Sequence, residues 1–111
     1  MGVHRNLALL DLAERIIAEV VPLTRGRSRL LFKEQLLNAA QSVHSNIGEA
    51  FGRGTKRDRN RVLFIARGEA EEAIRHLRPS QIARRIDERR YWRLHHRLVT
   101  AVKMIDSIMR T

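Results

Sequence analysis

Apolar side chains return along this chain every three or four residues, the spacing that gathers them on one face of an α-helix. Between Leu7 and Val21, Leu9, Ala13, Ile16 and Val20 form one stripe and Leu10, Ile17 and Val21 a second, which predicts a first helix with a wide apolar face. Pro22 and the run Thr24-Arg25-Gly26-Arg27-Ser28 predict its end, since proline breaks the hydrogen-bond ladder and glycine and serine favour turns. Ser28 is a candidate cap for the next helix. That helix carries Phe32, Leu36, Ala40, Val43, Ile47 and Ala50 along its seam, and Gly52-Arg53-Gly54 predicts its stop.

Thr55 or Asp58 is suited to cap a third helix, whose seam of Leu63, Ala66, Ala70, Ala73 and Leu77 is small in the middle and larger at its ends. The small residues, with Gly68 on the same helix, predict close approach of a neighbouring backbone. Pro79 is expected to kink or break this helix, with Ile82 to Arg85 able to continue beyond it. Asp87 then reads as an N-cap, and Tyr91, Leu94, Leu98, Ala101, Ile105 and Ile108 keep a heptad rhythm toward the C-terminus. The expected helices cover about residues 6–22, 29–52, 56–84 with a kink at Pro79, and 87–110.

No window alternates like a strand, so the fold class is all-α, and short turns between four helices predict an antiparallel up-down four-helix bundle. A length of 111 residues suits a single domain over residues 1–111. Leu10, Ile17, Val21, Phe51, Phe64, Ile74, Val102 and Met109 lie beside the seams. They make either a wider core or the face of an oligomer.

The balance of 22 Lys plus Arg against 12 Asp plus Glu gives a formal charge of +10, which turns attention from a bland bundle to polyanionic partners. Only Lys33, Lys56 and Lys103 are lysines. Arginine grips phosphate with two hydrogen bonds at once, although a GC-rich genome produces the same bias. Three clusters stand out: Arg25, Arg27 and Arg29; Arg53, Lys56, Arg57, Arg59 and Arg61; and Arg84, Arg85, Arg89, Arg90, Arg93 and Arg97. In an up-down bundle the first two clusters fall at opposite ends, so the charge wraps the molecule and suits phosphate-backbone contact with little base specificity. With Arg78 added, the expected contacts are Arg25, Arg27, Arg53, Lys56, Arg57, Arg59, Arg61, Arg78, Arg84, Arg85, Arg89 and Arg90.

Enzymatic chemistry finds little footing. Without cysteine there is no disulfide, thiolate nucleophile or cysteine metal site. Gly52-Arg53-Gly54-Thr55-Lys56 lacks both the order and the preceding strand of a phosphate loop. Glu72 and His76 are four apart with no second copy, and His44, His95 and His96 complete no set, so neither a metal nor a cofactor is expected. A catalytic site would have to draw on Glu49, Glu69 and Glu72. The aromatics mostly sit at or next to core positions, which argues against a base-stacking platform and leaves Trp92, flanked by arginines, as the one stacking candidate. Ser42, Ser45, Asn46 and Glu49 put a polar strip on an otherwise apolar helix, and Ser42, Asn46 and Glu49 are expected to play a structural role, such as bonding across helices or fixing the bundle register. Asp11, Glu14 and Arg15 interrupt the first apolar stretch, so neither a signal core nor a membrane span is expected and a cytoplasmic protein is.

Gln35-Leu36-Leu37, the run Ser42-Val43-His44-Ser45-Asn46-Ile47-Gly48-Glu49-Ala50 and the loop Gly52-Arg53-Gly54-Thr55-Lys56-Arg57-Asp58 together resemble the small proteins related to those encoded within 23S rRNA intervening sequences. That group includes the accessory variability determinant (Avd) proteins of diversity-generating retroelements. The likeness runs from Leu7 to Met109, with Phe64 to Glu72 matching the family's third helix and Arg78 a commonly basic position. It departs at Arg59, where an aromatic is usual, and at Pro79. The resemblance implies an antiparallel four-helix bundle, assembly into a ring that is typically a homopentamer, a basic surface and no catalytic activity. For the Avd-like branch it also implies binding to RNA or DNA and to a reverse transcriptase. The expected function is therefore non-enzymatic binding of nucleic acid, RNA or DNA, by phosphate contact, accessory to a reverse transcriptase or to rRNA. The rival is a protein scaffold whose charge meets an acidic protein partner.

Overall fold

A computed structural model describes residues 2–111 of the protein as four helices: α1 (Gly2–Thr24), α2 (Lys33–Phe51), α3 (Lys56–Ile82) and α4 (Glu88–Met109). Each helix packs on its chain neighbour and α4 closes on α1, while the diagonal pairs stay apart. Bonds between elements fix their directions. Arg5 near the start of α1 reaches Ser107 near the end of α4, and Glu19 near the end of α1 meets Arg93 (3.3 Å) and Arg97. Arg59 at the start of α3 reaches the Ile108 carbonyl at 3.0 Å, whereas Gln81 at its end meets Glu88 at 3.3 Å. The helices are antiparallel, in a molecule 43 × 21 × 18 Å. Its proximal end carries the α2–α3 turn, and its distal end carries the α1–α2 and α3–α4 connections.

The seams read from the sequence form the core. Leu9, Ala13, Ile16 and Val20 of α1, Leu36, Ala40, Val43, Ile47 and Ala50 of α2, the five seam residues of α3 and the six of α4 are all buried. Leu10, Ile17, Phe51, Ile74, Val102 and Met109 pack half-buried against that core, so most of the flanking apolar surface widens it. Phe64 does not, and is 66% exposed.

Local chemistry moves several boundaries. α2 starts at Lys33, four residues later than the periodicity predicts. Leu30 is drawn over the end of the core, and the Leu31 amide donates to the buried Ser80 hydroxyl at 2.8 Å, which holds this stretch in a loop. Ser28 closes the preceding helix, bonding the Leu23 carbonyl, instead of capping α2. Phe32 is not a seam residue: it occupies the N-cap with φ +54° and is half exposed. Pro22 lies inside α1, because burial of Val20 and Leu23 on either side carries the helix two residues past it. α3 likewise runs through Pro79, flanked by buried Leu77 and Ser80, and ends at Ile82 instead of near residue 84. The stop is made by Arg84 in the left-handed region (φ +55°), with the Arg84 amide bonded to the Gln81 carbonyl (3.1 Å) and the Arg85 amide to the Ser80 carbonyl (2.8 Å). This paired closure normally uses glycine at the left-handed position. Thr55 and Asp87 are the N-caps of α3 and α4, accepting from the Asp58 and Arg90 amides at 3.1 Å each. Gly68 lies on the outer face of α3 with open space around it, so the close α2–α3 packing belongs to the alanines Ala39, Ala40, Ala66, Ala70 and Ala73.

Candidate nucleic-acid interface

Along the waist of the bundle, acids neutralise arginines. Asp11 pairs with Arg15 at 2.8 Å, Glu14 faces His44 at 3.6 Å, and Glu19 takes both Arg93 and Arg97. Arg67 bridges Asp106 (2.6 Å) and Glu71 (3.0 Å), and the hydrogen bond to Asp106 is the main reason its proton affinity rises above even the usual arginine range. Glu72 contacts His76 at 3.2 Å and Arg75 at 3.9 Å. Exposed pairs of this kind add little stability individually. Together they set opposite charges side by side along the bundle.

The distal end differs. Arg25, Arg27, Arg29, Arg84, Arg85, Arg89 and Arg90 are exposed there, and the Arg85 guanidinium donates to the Arg29 carbonyl at 3.4 Å, joining the two connections. The first and third sequence clusters therefore form one cationic surface, from which Arg93 and Arg97 are withdrawn by Glu19. Arg78 stands exposed one turn before the end of α3. Among the described residues, Arg25, Arg27, Arg78, Arg84, Arg89 and Arg90 form no ion pair.

At the proximal end the second cluster divides. Lys56, Arg57 and Arg61 are exposed. Arg53 pairs with Glu49. Arg59 lies along the protein, donating to the Asn60 side chain at 2.9 Å and to the Ile108 carbonyl, while Asn60 donates to the Met109 carbonyl at 3.0 Å. The two residues satisfy the last carbonyls of α4, whose partial negative charge suits a guanidinium.

Placement against the helix dipole sharpens this contrast. Lys56 and Arg57 lie in the first turn of α3, and Arg89 and Arg90 in that of α4. Cations there oppose the partial positive charge of a helix N-terminus, so local helix stability does not account for them. An anion bound at either end would meet both the arginines and the free amides of the first turn.

The polar strip bonds along α2 instead of across helices, because the Asn46 amide turns back to the Ser42 carbonyl (2.8 Å) and hydroxyl (3.0 Å) one turn below it. Glu69 and Glu72 line a shallow polar groove of about 230 Å³ with Gln35, Asn38 and His76, and Glu49 is engaged by Arg53. Among the described residues, no group of three His, Asp or Glu could hold a metal ion, and no helix is long and apolar enough to cross a membrane. Sequence reasoning missed the structural roles of Asn60 and Ser80; an Asn beside a helix start and a Ser beside a proline carry no signal of the carbonyl or amide they meet across the bundle.

The sequence pattern of the family described as 23S rRNA-intervening sequence protein matches residues 5–107. No curated protein matches the chain. A crystal structure from Bacteroides thetaiotaomicron VPI-5482, of a protein of unknown function from the S23 ribosomal protein family, superposes with a TM-score of 0.87 at 22% identity, covering 96% of this chain and 99% of that one. At that identity the likeness concerns the fold.

Proposed function

The chain belongs to the 23S rRNA-intervening sequence protein family, and from that premise we propose that it is a non-enzymatic protein that binds RNA or DNA through phosphate contacts at its two cationic ends. The observation that carries this reading is the partition of charge. Asp11, Glu19, Glu71, Glu72 and Asp106 pair with arginines along the sides of the bundle, while Arg25, Arg27, Arg84, Arg89 and Arg90 at one end, and Lys56, Arg57 and Arg61 at the other, form no ion pair among the described residues, although Glu34, Asp58, Asp87 and Glu88 share those ends. A phosphate backbone rewards such an arrangement, since each neutralised phosphate releases counterions whatever the base sequence. Arg59 and Arg53 are left out of the contact set by their bonds within the chain.

The protein acts as a homo-oligomer, in the ring, typically pentameric, that the family resemblance implies, and serves as accessory to a reverse transcriptase or to rRNA. Support for assembly comes from Phe64 and Ile65 on α3 and Val3 and Leu7 on α1, which stay 44–68% exposed although the other flanking apolar residues pack inward. Repetition around a ring would multiply weak phosphate contacts.

A salt titration of the intact protein against structured RNA tests the central reading. Affinity should be measurable at about 50 mM salt and fall by roughly 10³-fold or more by about 200 mM if six or more phosphates are engaged. No detectable affinity at the lower salt, or a flat profile, overturns it and leaves a scaffold for an acidic protein as the better account. Light scattering of the same sample should give the mass of five chains; a monomer at micromolar concentration overturns the ring.

A further inference from the structure

Beside the distal end, between the outer faces of α3 and α4, lies a groove of about 400 Å³ lined by Ile74, Arg75, Arg78, Pro79, Tyr91 and His95. Its floor is apolar, from Ile74 and Pro79 with the buried Tyr91 beneath, and its charge comes from two arginines one turn apart on α3. Arg75 is only loosely held by Glu72 at 3.9 Å, and Arg78 has no carboxylate partner among the described residues. His95 lies over Tyr91 with ring centres 5.7 Å apart and planes at 26°, and its Nδ1 is buried without a hydrogen-bond partner among the described residues. Trp92 is 49% exposed and edge-on to both rings, at 4.8 Å from Tyr91 and 5.3 Å from His95. Its indole N–H donates to Glu88 at 3.1 Å, and Glu88 also accepts from Gln81 of α3, so the indole is held in place beside the groove.

We infer that this groove seats one unpaired nucleotide of a bound RNA strand, with the base against His95 and the exposed Trp92 and its phosphate on Arg78 and Arg75. The volume falls in the range of small-molecule sites, large enough for a base and its sugar. An unstacked base brings a flat apolar face and a phosphate within one unit, and here His95 in the groove and Trp92 beside it accompany two arginines. Paired strands keep their bases stacked inside the helix, so a duplex can touch the arginines but cannot fill the floor. An acidic peptide supplies the charge and no planar ring. The inference rests on the reading of the chain as a phosphate binder and adds to it a preference for unpaired strands that backbone contact alone does not give.

Trp92 is the protein's one tryptophan, which makes its emission a reporter of the groove. The intact protein is titrated at about 50 mM salt, where phosphate contacts are strong, with a labelled single-stranded oligoribonucleotide, a fully paired RNA duplex of the same length, and oligoglutamate. Anisotropy of the label reports RNA binding independently of the tryptophan. The single strand should bind and change Trp92 emission, whereas the duplex should bind without changing it and oligoglutamate should leave it unaltered. Arg78→Ala, at an exposed position that the core does not need, should weaken single-strand binding about tenfold and duplex binding by no more than about threefold. If the single strand binds while Trp92 stays silent, or the duplex changes the emission equally, the groove is not a nucleotide seat although the phosphate reading survives. If oligoglutamate gives the same change, the groove reads acidic peptide and the inference fails. If neither RNA binds, the phosphate reading fails and takes the groove with it.

Discussion

Arg57 and Arg59 are two positions apart at the start of α3 and meet different surroundings: Arg57 projects into solvent, and Arg59 spans to the last carbonyls of α4. Replacing Arg59 with alanine should lower unfolding free energy by about 1–2 kcal/mol, read by urea denaturation, because a charge-assisted bond to a helix C-terminus is lost. Arg57→Ala should leave stability within about 0.5 kcal/mol. It should instead reduce the log–log salt slope of RNA binding by about 0.9. The converse mutation is Arg84→Gly. A side chain at a left-handed position costs roughly 1 kcal/mol against glycine, so this change should stabilise the protein by about that amount while weakening RNA binding. Stability and affinity moving in opposite directions would mark a cation kept at a strained position for contact; a fall in both would contradict that account. The sequence distinguishes none of these arginines, because their roles depend on which helix end lies opposite.

The helices themselves were open to inspection in the sequence, since a seam at three- and four-residue spacing leaves few alternatives for where the core lies. Leu98 and Leu77 are fully buried as the pattern requires, and Leu98→Ala should cost about 2–5 kcal/mol. Helix ends were legible where a short polar side chain caps its own helix, as Thr55 and Asp87 do. They were hidden where the deciding partner is distant: Leu31 meets Ser80 across 49 positions, and that bond with the burial of Leu30 delays α2. Ser80→Ala should therefore cost about 1–3 kcal/mol through an unsatisfied amide. Gly68 was misread because a glycine on a helix suggests close packing, and only its placement on the outer face shows otherwise. Gly68→Ala should raise stability by about 0.5–1 kcal/mol, as expected for an exposed helix interior, and a loss on thermal or urea unfolding would reveal a close neighbour in the assembled state.

At the scale of the whole molecule, the sequence conveyed the excess of cations and not their arrangement. Three clusters in the chain become two ends, because Arg85 and Arg29 meet across the distal connections while Glu19 pairs with Arg93 and Arg97. The candidate contacts were therefore legible as a set, while the division between projecting and neutralised arginines needed the antiparallel register. Placement of charge, beyond its amount, is what the phosphate-binding account asserts. It is tested most directly by comparing RNA affinity, at one low salt concentration, between two variants that lose the same charge. One carries Arg25→Gln, Arg27→Gln and Arg89→Gln at the distal end, the other Arg15→Gln, Arg67→Gln and Arg97→Gln, ion-paired and nearer the waist. The account predicts that the distal variant loses affinity by roughly 10²-fold or more, while the waist variant stays within about tenfold of the parent. Equal losses in the two variants would mean that net charge alone attracts the RNA, and would contradict it.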